Sequence, residues 1–330
     1  MKYYDVTLRD GNHAIRHTLE PNFVKTYCQA AIDSNVWAVE IGHGNGLGAS
    51  SYLVGRSKFQ DFELLEVARA SLGERGPKLA VHCIPGFATL KRDIVPALKQ
   101  GVDLFRIATH VSEATVAKKH IEFVANSGAE VHGVLMMSHM IDINNLVEQA
   151  KLMKDYGATA VVLMDSAGFF VPSDVAERVL ALRNEIGIEV GFHAHNNLGL
   201  AVANANTAAE SGAQIIDGAS MGLGAGAGNA QLENIIAFRI RMGEKLEMEP
   251  FLDLSALVEK NFADYLPRTT SSSTSSGMAG VFSGYAPQVL KISEEFGLEA
   301  FTLWNELGKR KLVAGQESMI REVANDLMNL

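Results

Sequence analysis

The stretch DYGATAVVLMDSAG, from Asp155 to Gly168, carries the pattern on which the fold prediction rests. It follows a helical pattern, turns at Gly157, continues as an apolar run and ends in two polar residues, Asp165 and Ser166. Glycine just past a helix end is the expected C-cap, so a strand directly follows a helix here. The same glycine turn recurs in NSGAEV (126–131), EIGIEV (185–190) and ESGAQI (210–215).

Apolar runs rich in β-branched residues alternate with amphipathic stretches over most of the chain. Eight such β-then-α units predict a parallel closed barrel, the (β/α)8 TIM-barrel fold of the α/β class. A doubly wound open sheet is the alternative, but it requires Gly-x-Gly-x-x-Gly after the first strand, where this chain has RDGNH (9–13). The predicted strands are 5–10, 36–42, 78–84, 103–109, 130–136, 160–165, 188–195 and 214–220, and the predicted helices include 62–72, 114–125, 143–156, 172–186, 200–211 and 231–242.

The barrel pattern ends near residue 245. We therefore predict a catalytic barrel domain at 1–245 and a helical C-terminal domain at 246–330. The second domain opens with a helical pattern at 253–266 and ends with three more. Between them, the Ser/Thr-rich stretch RTTSSSTSSG (268–277) fits either a flexible linker or an ordered loop over a site.

The amino-acid composition limits which partners the chain is expected to bind and where in the cell it is expected to lie. The 330 residues are 47% hydrophobic and carry a formal net charge of −9, which argues against nucleic acid and anionic membranes as partners. Two cysteines, Cys28 and Cys83, make no disulfide framework. With no long apolar run and no leader pattern, we expect a soluble cytoplasmic protein.

Polar residues collect near the carboxyl ends of the predicted strands, where TIM barrels hold their functional groups. Packing does not readily explain such residues at the same end of seven successive strands. In order of the predicted strands, these polar residues are Arg9, Asp10 and His13; Glu40 and His43; His82; Arg106, Thr109 and His110; Ser138 and His139; Asp165 and Ser166; and His193 and His195.

The pair His193 and His195 predicts a divalent-metal site. Residues two apart on a strand point to the same side, so both imidazoles can face one ion. Asp10, at the end of the first predicted strand, supplies the third ligand. One carboxylate and two imidazoles with open water positions suit Mn²⁺, Mg²⁺ or Co²⁺, and Zn²⁺ is also compatible.

Arg9 and His13 flank this predicted site and indicate its chemistry. A metal and an arginine beside one oxygen atom stabilise a developing enolate, and a histidine can carry the proton. The prediction is carbon–carbon bond cleavage or formation on a 2-oxo acid. His17 and His120 are expected to be ordinary surface residues.

Eight stretches spread over nearly the whole chain form a recognisable set. They are LRDGNHAIRH, EIGHGNGLGASS, RIATHVSEA, LMMSHM, YGATAVVLMDSAG, HAHNNLGLAVANA, GAGAGNAQLE and VAGQESMI. Together they resemble the 4-hydroxy-2-oxovalerate aldolases, metal-dependent pyruvate aldolases of the superfamily that includes isopropylmalate and homocitrate synthases.

The resemblance implies retro-aldol cleavage of a 4-hydroxy-2-oxo acid, such as 4-hydroxy-2-oxopentanoate, to pyruvate and a small aldehyde through a metal-bound enolate. It implies Mn²⁺ on Asp10, His193 and His195, Arg9 on the enolate and His13 as the catalytic base. It further implies a role in aromatic hydrocarbon catabolism, an oligomer, and an acylating aldehyde dehydrogenase that docks on the tail. The substrate-binding set is Arg9, Ser166, His193 and His82.

Two departures from the family pattern bear on the substrate. Where the family has a tyrosine in Ala-Gly-Val-Tyr-Ser, this chain has Phe282, and Tyr285 takes its catalytic role if it lies one helical turn away. The family's leucines on the third strand correspond to His82-Cys83-Ile84, which predicts a larger or more polar aldehyde.

Other functions remain open at this point. A synthase that condenses an acyl-CoA with a 2-oxo acid, as in citramalate or isopropylmalate synthesis, shares the fold and the metal. A non-catalytic partner subunit is a third reading, because Phe282 lacks the hydroxyl. An oxygenase that binds its metal through two histidines and one carboxylate is the least favoured of these alternatives.

Overall fold

The computed structural model of the chain describes residues 1–313, 316 and 318–329, apart from the side chain of Ser283. Eight parallel strands form a closed barrel in sequence order, and the last strand pairs with the first through the register Tyr4↔Asp217. The predicted TIM barrel is confirmed. The strands are β1 (Lys2–Asp5), β2 (Ala38–Glu40), β3 (Lys78–Cys83), β4 (Leu104–His110), β5 (Glu130–Met136), β6 (Ala160–Asp165), β7 (Glu189–Ala194) and β8 (Ile215–Gly218).

Helices surround the barrel and form the tail. Apolar faces of the outer helices pack on the strands in one large core, in which Leu64, Val124 and Leu182 are fully buried. The helices are α1 (Gly11–Ala14), α2 (Pro21–Ser34), α3 (Asp61–Leu72), α4 (Val95–Lys99), α5 (Lys118–Asn126), α6 (Ile143–Asp155), α7 (Pro172–Glu185), α8 (Ala201–Glu210), α9 (Leu232–Arg241), α10 (Glu249–Phe262), α11 (Ser271–Ala279), α12 (Ala286–Phe296), α13 (Ala300–Lys309) and α14 (Ser318–Met328).

The first predicted strand is wrong in its bounds. β1 ends at Asp5, and the amide of Asp10 bonds the carbonyl of Val6 in a turn that leads into α1. The motif with Arg9 and Asp10 is therefore a loop above the strand. Predicted strands 5 and 6 match β5 and β6 residue for residue.

The tail consists of the three predicted final helices, α12 to α14, preceded by α11. Val281, Val289, Trp304 and Ile320 belong to a separate buried cluster. Helix α10, by contrast, shares the barrel core through Phe251, Leu254 and Val258. The domain division at residues 245 and 246 stays a prediction.

The Ser/Thr-rich stretch is ordered and helical. At the start of α11, the Thr270 hydroxyl accepts from the Ser273 amide at 3.1 Å, and the Ser273 hydroxyl accepts from the Thr270 amide at 2.7 Å. These reciprocal bonds satisfy two amide donors that a helix start leaves free. Asn197, just beyond β7, donates to the Ser276 hydroxyl at 2.9 Å. Helix α11 is thereby fixed against the mouth of the barrel.

In the part of the chain that the structure describes, no helix combines the length and the hydropathy needed to cross a membrane.

Candidate metal and catalytic centre

Asp10, His193 and His195 come together at the barrel mouth. One potential ligand atom from each lies within 4.8 Å of the others, and all three side chains are buried. Asp10 is held there by the turn after β1, while His193 lies in β7 and His195 follows its last residue. The structure thus brings together all three predicted metal ligands.

Both imidazoles are oriented by bonds on the ring nitrogen that faces away from the group. His193 Nδ1 donates to Asp217 Oδ2 at 3.0 Å, and His195 Nδ1 donates to the carbonyl of Asp165 at 3.1 Å. With the proton on Nδ1, each Nε2 carries a lone pair. Neither Nε2 has a hydrogen-bond partner among the described residues, although both are buried. Unpaired, buried nitrogen lone pairs beside a carboxylate are what a divalent cation requires.

The electrostatics of the group also fit a cation. Although burial raises the pKa of Asp10, the Arg9 guanidinium and His195 hold it well below its usual range, so Asp10 is ionised. Although burial lowers the pKa of His195, Asp10 raises it above its ordinary value. The space between them therefore favours positive charge, whether from a proton or from a metal ion.

Arg9 is clamped on one side of this group. Its Nε donates to Glu40 Oε2 at 2.6 Å, and its Nη1 donates to Asp10 Oδ1 at 2.6 Å. Glu40 in turn accepts a bond from the hydroxyl of Tyr4 at 3.0 Å. Arg9 Nη2 is buried without a partner in the described part of the chain, so one charged N–H group remains available to a substrate oxygen.

His13 lies half-buried beside the same group. Burial lowers its pKa to about 4; the positive charges of Arg9, His43 and His195 also lower it, whereas Asp10 raises it. The imidazole is therefore neutral at pH 7 and can accept a proton. Its ring lies so close to Gly44 that a β-carbon there would be 2.5 Å from it.

His82 and Ser166 lie on the walls of the mouth. His82 is 3% exposed, and its Nδ1 stands 3.8 Å from Glu40 Oε1, beyond hydrogen-bond distance. Burial and Arg9 lower its pKa to about 3, so it is a neutral polar group. The Ser166 hydroxyl accepts from the Met137 amide at 3.0 Å. The wall between them is apolar and contains Ala108, Val134, Val162 and Met164.

Phe282 and Tyr285, two aromatic residues of the tail, differ in position. The ring centroid of Phe282 is 6.4 Å from that of His195, so position 282 faces the mouth. Tyr285 belongs to the tail core, and its hydroxyl donates to the Val313 carbonyl at 3.1 Å. Its ring centroid lies 6.0 Å from that of Phe282. The catalytic role of Tyr285 stays a prediction, and in this conformation its hydroxyl is bonded within the tail.

Sequence reasoning missed three contributors. Asp217 in β8 was not singled out, yet it bonds His193 and forms an ion pair with Arg106 inside the barrel. Asn229 donates to Asp10 Oδ2 at 2.7 Å from the loop after β8. His17, expected at the surface, is 7% exposed and packs against His13, so that prediction is wrong. An acidic residue on an inward-facing strand position was the available signal for Asp217.

Comparisons with known proteins cover nearly the whole chain. Residues 1–261 match the HMGL-like family model, and residues 267–329 match the DmpG-like communication domain. A 4-hydroxy-2-oxovalerate aldolase of Pectobacterium atrosepticum is 49% identical over 98% of this chain and 94% of its own length. That of Spirochaeta aurantia is 48% identical over 98% of this chain and 95% of its own length.

Two solved structures are similar in fold. The N-terminal domain of a putative aldolase from Bacteroides vulgatus superposes with a TM-score of 0.78 at 23% identity, over 89% of this chain and 98% of that one. The carboxyl transferase domain of Rhizobium etli pyruvate carboxylase gives 0.79 at 16% identity, over 98% of this chain and 59% of that one. At these identities the likeness concerns the fold alone.

Proposed function

Because the chain belongs to the family of 4-hydroxy-2-oxovalerate aldolases, we propose that its barrel mouth cleaves a 4-hydroxy-2-oxo acid into pyruvate and an aldehyde. The enzyme is a lyase. The observation that carries the proposal is the buried group of Asp10, His193 and His195 with the free Nη2 of Arg9 beside it. It combines a site for a divalent ion with a fixed positive charge, as cleavage next to a 2-oxo group requires.

A divalent ion held by Asp10, His193 and His195 would act as a Lewis acid toward the 2-oxo oxygen and increase the electron demand on the bond that breaks. We propose Mn²⁺ because a carboxylate oxygen and two imidazole nitrogens suit it, with Mg²⁺ and Co²⁺ as alternatives.

In the cleavage step, the neutral imidazole of His13 takes the proton of the C4 hydroxyl. The C3–C4 bond then breaks, C4 leaves as the aldehyde, and the electron pair passes to the enolate of pyruvate. Arg9 Nη2 donates to the enolate oxygen and is held in place because Glu40 and Asp10 fix the rest of its guanidinium. We assign Ser166 to the oxo acid and His82, a buried polar group, to the side of the aldehyde.

The enolate must gain a proton at C3 to become pyruvate. Tyr285 is the proposed donor, and its support is its position next to Phe282, which faces the mouth. This role requires the Tyr285 ring to turn away from the Val313 carbonyl.

We also propose that the tail docks an acylating aldehyde dehydrogenase, which would receive the aldehyde. The support is the match of residues 267–329 to the DmpG-like communication domain. An oligomeric state and a cytoplasmic location remain parts of this proposal.

The test uses Asp10→Asn, which keeps the size of the side chain but removes its charge. We expect the variant to lose bound Mn²⁺ by elemental analysis, and to exchange the methyl protons of pyruvate with D₂O at least about tenfold more slowly. The control is Asp5→Asn. Asp5 is buried in β1 and accepts bonds from Thr7 and Tyr27, so this variant removes the charge of a buried carboxylate outside the group of Asp10, His193 and His195.

Methyl exchange at the wild-type rate in Asp10→Asn would refute the proposed role of the metal. If the wild-type enzyme releases free thiol from an acyl-CoA in the presence of pyruvate, the synthase alternative replaces the aldolase.

A further inference from the structure

Three imidazoles form a cluster at the barrel mouth, and only one of them has a role in the proposed reaction. The rings of His17 and His43 are stacked, with centroids 3.7 Å apart and planes 13° apart. The ring of His13 stands edge-on to both, at 5.2 Å from His17 and 6.4 Å from His43. The stacked pair thus forms a wall behind His13.

Backbone bonds fix both stacked rings. His43 Nδ1 accepts from the Asn45 amide at 3.0 Å, and its Nε2 donates to the Gly55 carbonyl at 3.0 Å. His17 Nδ1 accepts from the Gly44 amide at 3.4 Å. A ring nitrogen that accepts from an amide must keep its lone pair, so these bonds favour neutral rings. His17 and His43 are therefore suited to hold a neighbour in place rather than to transfer protons.

The backbone is shaped to bring these rings together. Arg16 and His17 have φ values of 54° and 59°, a left-handed conformation that non-glycine residues adopt infrequently. A β-carbon at Gly44 would lie 2.5 Å from His13, and one at Gly55 would lie 2.6 Å from His17. Two strained residues and two tightly packed glycines surround one small cluster. Such strain concentrates where function requires a fixed geometry.

We infer that His17, stacked on His43, is a positioning residue that holds the imidazole of His13 in line with the substrate hydroxyl. This inference rests on the proposed function, in which His13 takes the proton. His17 is 7% exposed and acts through His13 rather than on the substrate. Because orientation of a reacting group contributes mainly to turnover, loss of the wall lowers kcat and leaves KM nearly unchanged.

Two substitutions distinguish the contribution of the His17 ring from that of its hydrogen bond to the Gly44 amide. His17→Asn removes the ring, tolerates the left-handed backbone and keeps an acceptor for the Gly44 amide. His17→Phe keeps a stackable ring. We expect His17→Asn to lower kcat for cleavage of 4-hydroxy-2-oxopentanoate by about 10–100-fold, with KM and Mn²⁺ content unchanged, and His17→Phe to recover most of the loss. The matched control is His120→Asn, since His120 bonds the Ala88 carbonyl away from the cluster.

A double-mutant cycle decides whether His17 acts through His13. In a His13→Ala background, His17→Asn should lower kcat no further, because the residue it positions is gone. An equal loss in both backgrounds, or an unchanged kcat in His17→Asn, overturns the inference. If His13→Ala itself keeps the wild-type kcat, the role of His13 in the proposed function fails instead, so the two failures are distinguishable.

Discussion

Replacement of Asp217 by asparagine tests how the barrel prepares His193 for a metal. Asp217 Oδ2 accepts from His193 Nδ1 at 3.0 Å and from Arg106, and Oδ1 accepts from Arg106 at 2.9 Å. Arg106 and His193 together hold the pKa of Asp217 at about 2 despite complete burial, so it is ionised. An asparagine offers only one acceptor oxygen for these three contacts.

Either orientation of the new amide weakens the metal site. If its NH₂ group faces His193, it donates to Nδ1 and moves the ring proton to Nε2, the nitrogen that must bind the ion. If the NH₂ group faces Arg106, the buried guanidinium keeps only one of its two hydrogen bonds to residue 217. One charge-assisted hydrogen bond contributes about 1.5–3 kcal/mol, which corresponds to roughly 10–100-fold in affinity. Removal of the hydrogen-bond partner of a metal-bound histidine lowers metal affinity by about the same factor.

The assay is a titration of metal-free protein with Mn²⁺, followed by the electron paramagnetic resonance signal of the free ion. We expect a Kd about 10–100-fold above that of the wild type. For the control Asp5→Asn, whose carboxylate bonds Thr7 and Tyr27, the Kd for Mn²⁺ should stay within about twofold of the wild-type value. Because an unpaired Arg106 can unfold the barrel, Arg106→Met with Asp217→Asn serves as the companion variant. An unchanged Kd in folded protein would refute the reasoning.

Two further predictions concern stability and proton donation. Burial raises the pKa of Glu233 to about 7 from 4.5, although the Met221 amide lowers it. The folded state thus binds a proton that the unfolded state has lost, so stability falls as the pH rises from about 4.5 to 7. Glu233→Gln should therefore raise the free energy of unfolding by up to about 3 kcal/mol at pH 8 and by little at pH 4, as measured by urea denaturation; equal effects at both pH values would contradict this. Phe282→Tyr should raise kcat for 4-hydroxy-2-oxopentanoate by at least about tenfold if position 282 lacks the proton donor, and no gain in steady-state assays would leave the role to Tyr285.

The architecture and the grouping of Asp10, His193 and His195 could be predicted largely because both depend on short-range patterns. Glycine turns before apolar runs identified β5 and β6 residue for residue. His193 and His195 could be paired because a strand places alternate residues on one side. Asp10 was assigned to the site as the end of the first predicted strand. It lies five residues beyond β1, but the turn after the strand returns it to the same mouth.

The remaining features depend on contacts that periodicity does not encode. His17 is buried because a left-handed turn at Arg16 and His17 folds it beneath His13. The Ser/Thr-rich stretch has the composition of a linker, yet the Thr270 and Ser273 bonds and Asn197 make it a helix. Tyr285 was assigned the role of the family tyrosine on the condition that it lies one helical turn from Phe282 and faces the pocket. The bond of its hydroxyl to the Val313 carbonyl is a contact that spacing does not encode.

The distribution of polarity inside the barrel indicates which of its groups serve catalysis. Strands β4, β5 and β6 fill their side of the upper interior with Ala108, Val134, Val162 and Met164, so this fold can pack that layer with apolar side chains. Apolar packing is usually at least as stabilising as a buried ion pair. The buried Arg106–Asp217 pair is therefore poorly explained by stability alone.

The contacts of that pair supply the explanation. Asp217 orients His193, while the Arg106 guanidinium stacks on Tyr4 at 3.2 Å from the ring centroid. The Tyr4 hydroxyl bonds Glu40, which holds Arg9, and Arg9 in turn bonds Asp10. A buried chain of contacts thus links His193, the proposed metal ligand in β7, to Arg9 and to Asp10, the proposed ligand that follows β1. In the proposed reaction, these contacts fix the side chains that would hold the cation and the guanidinium that faces the developing negative charge.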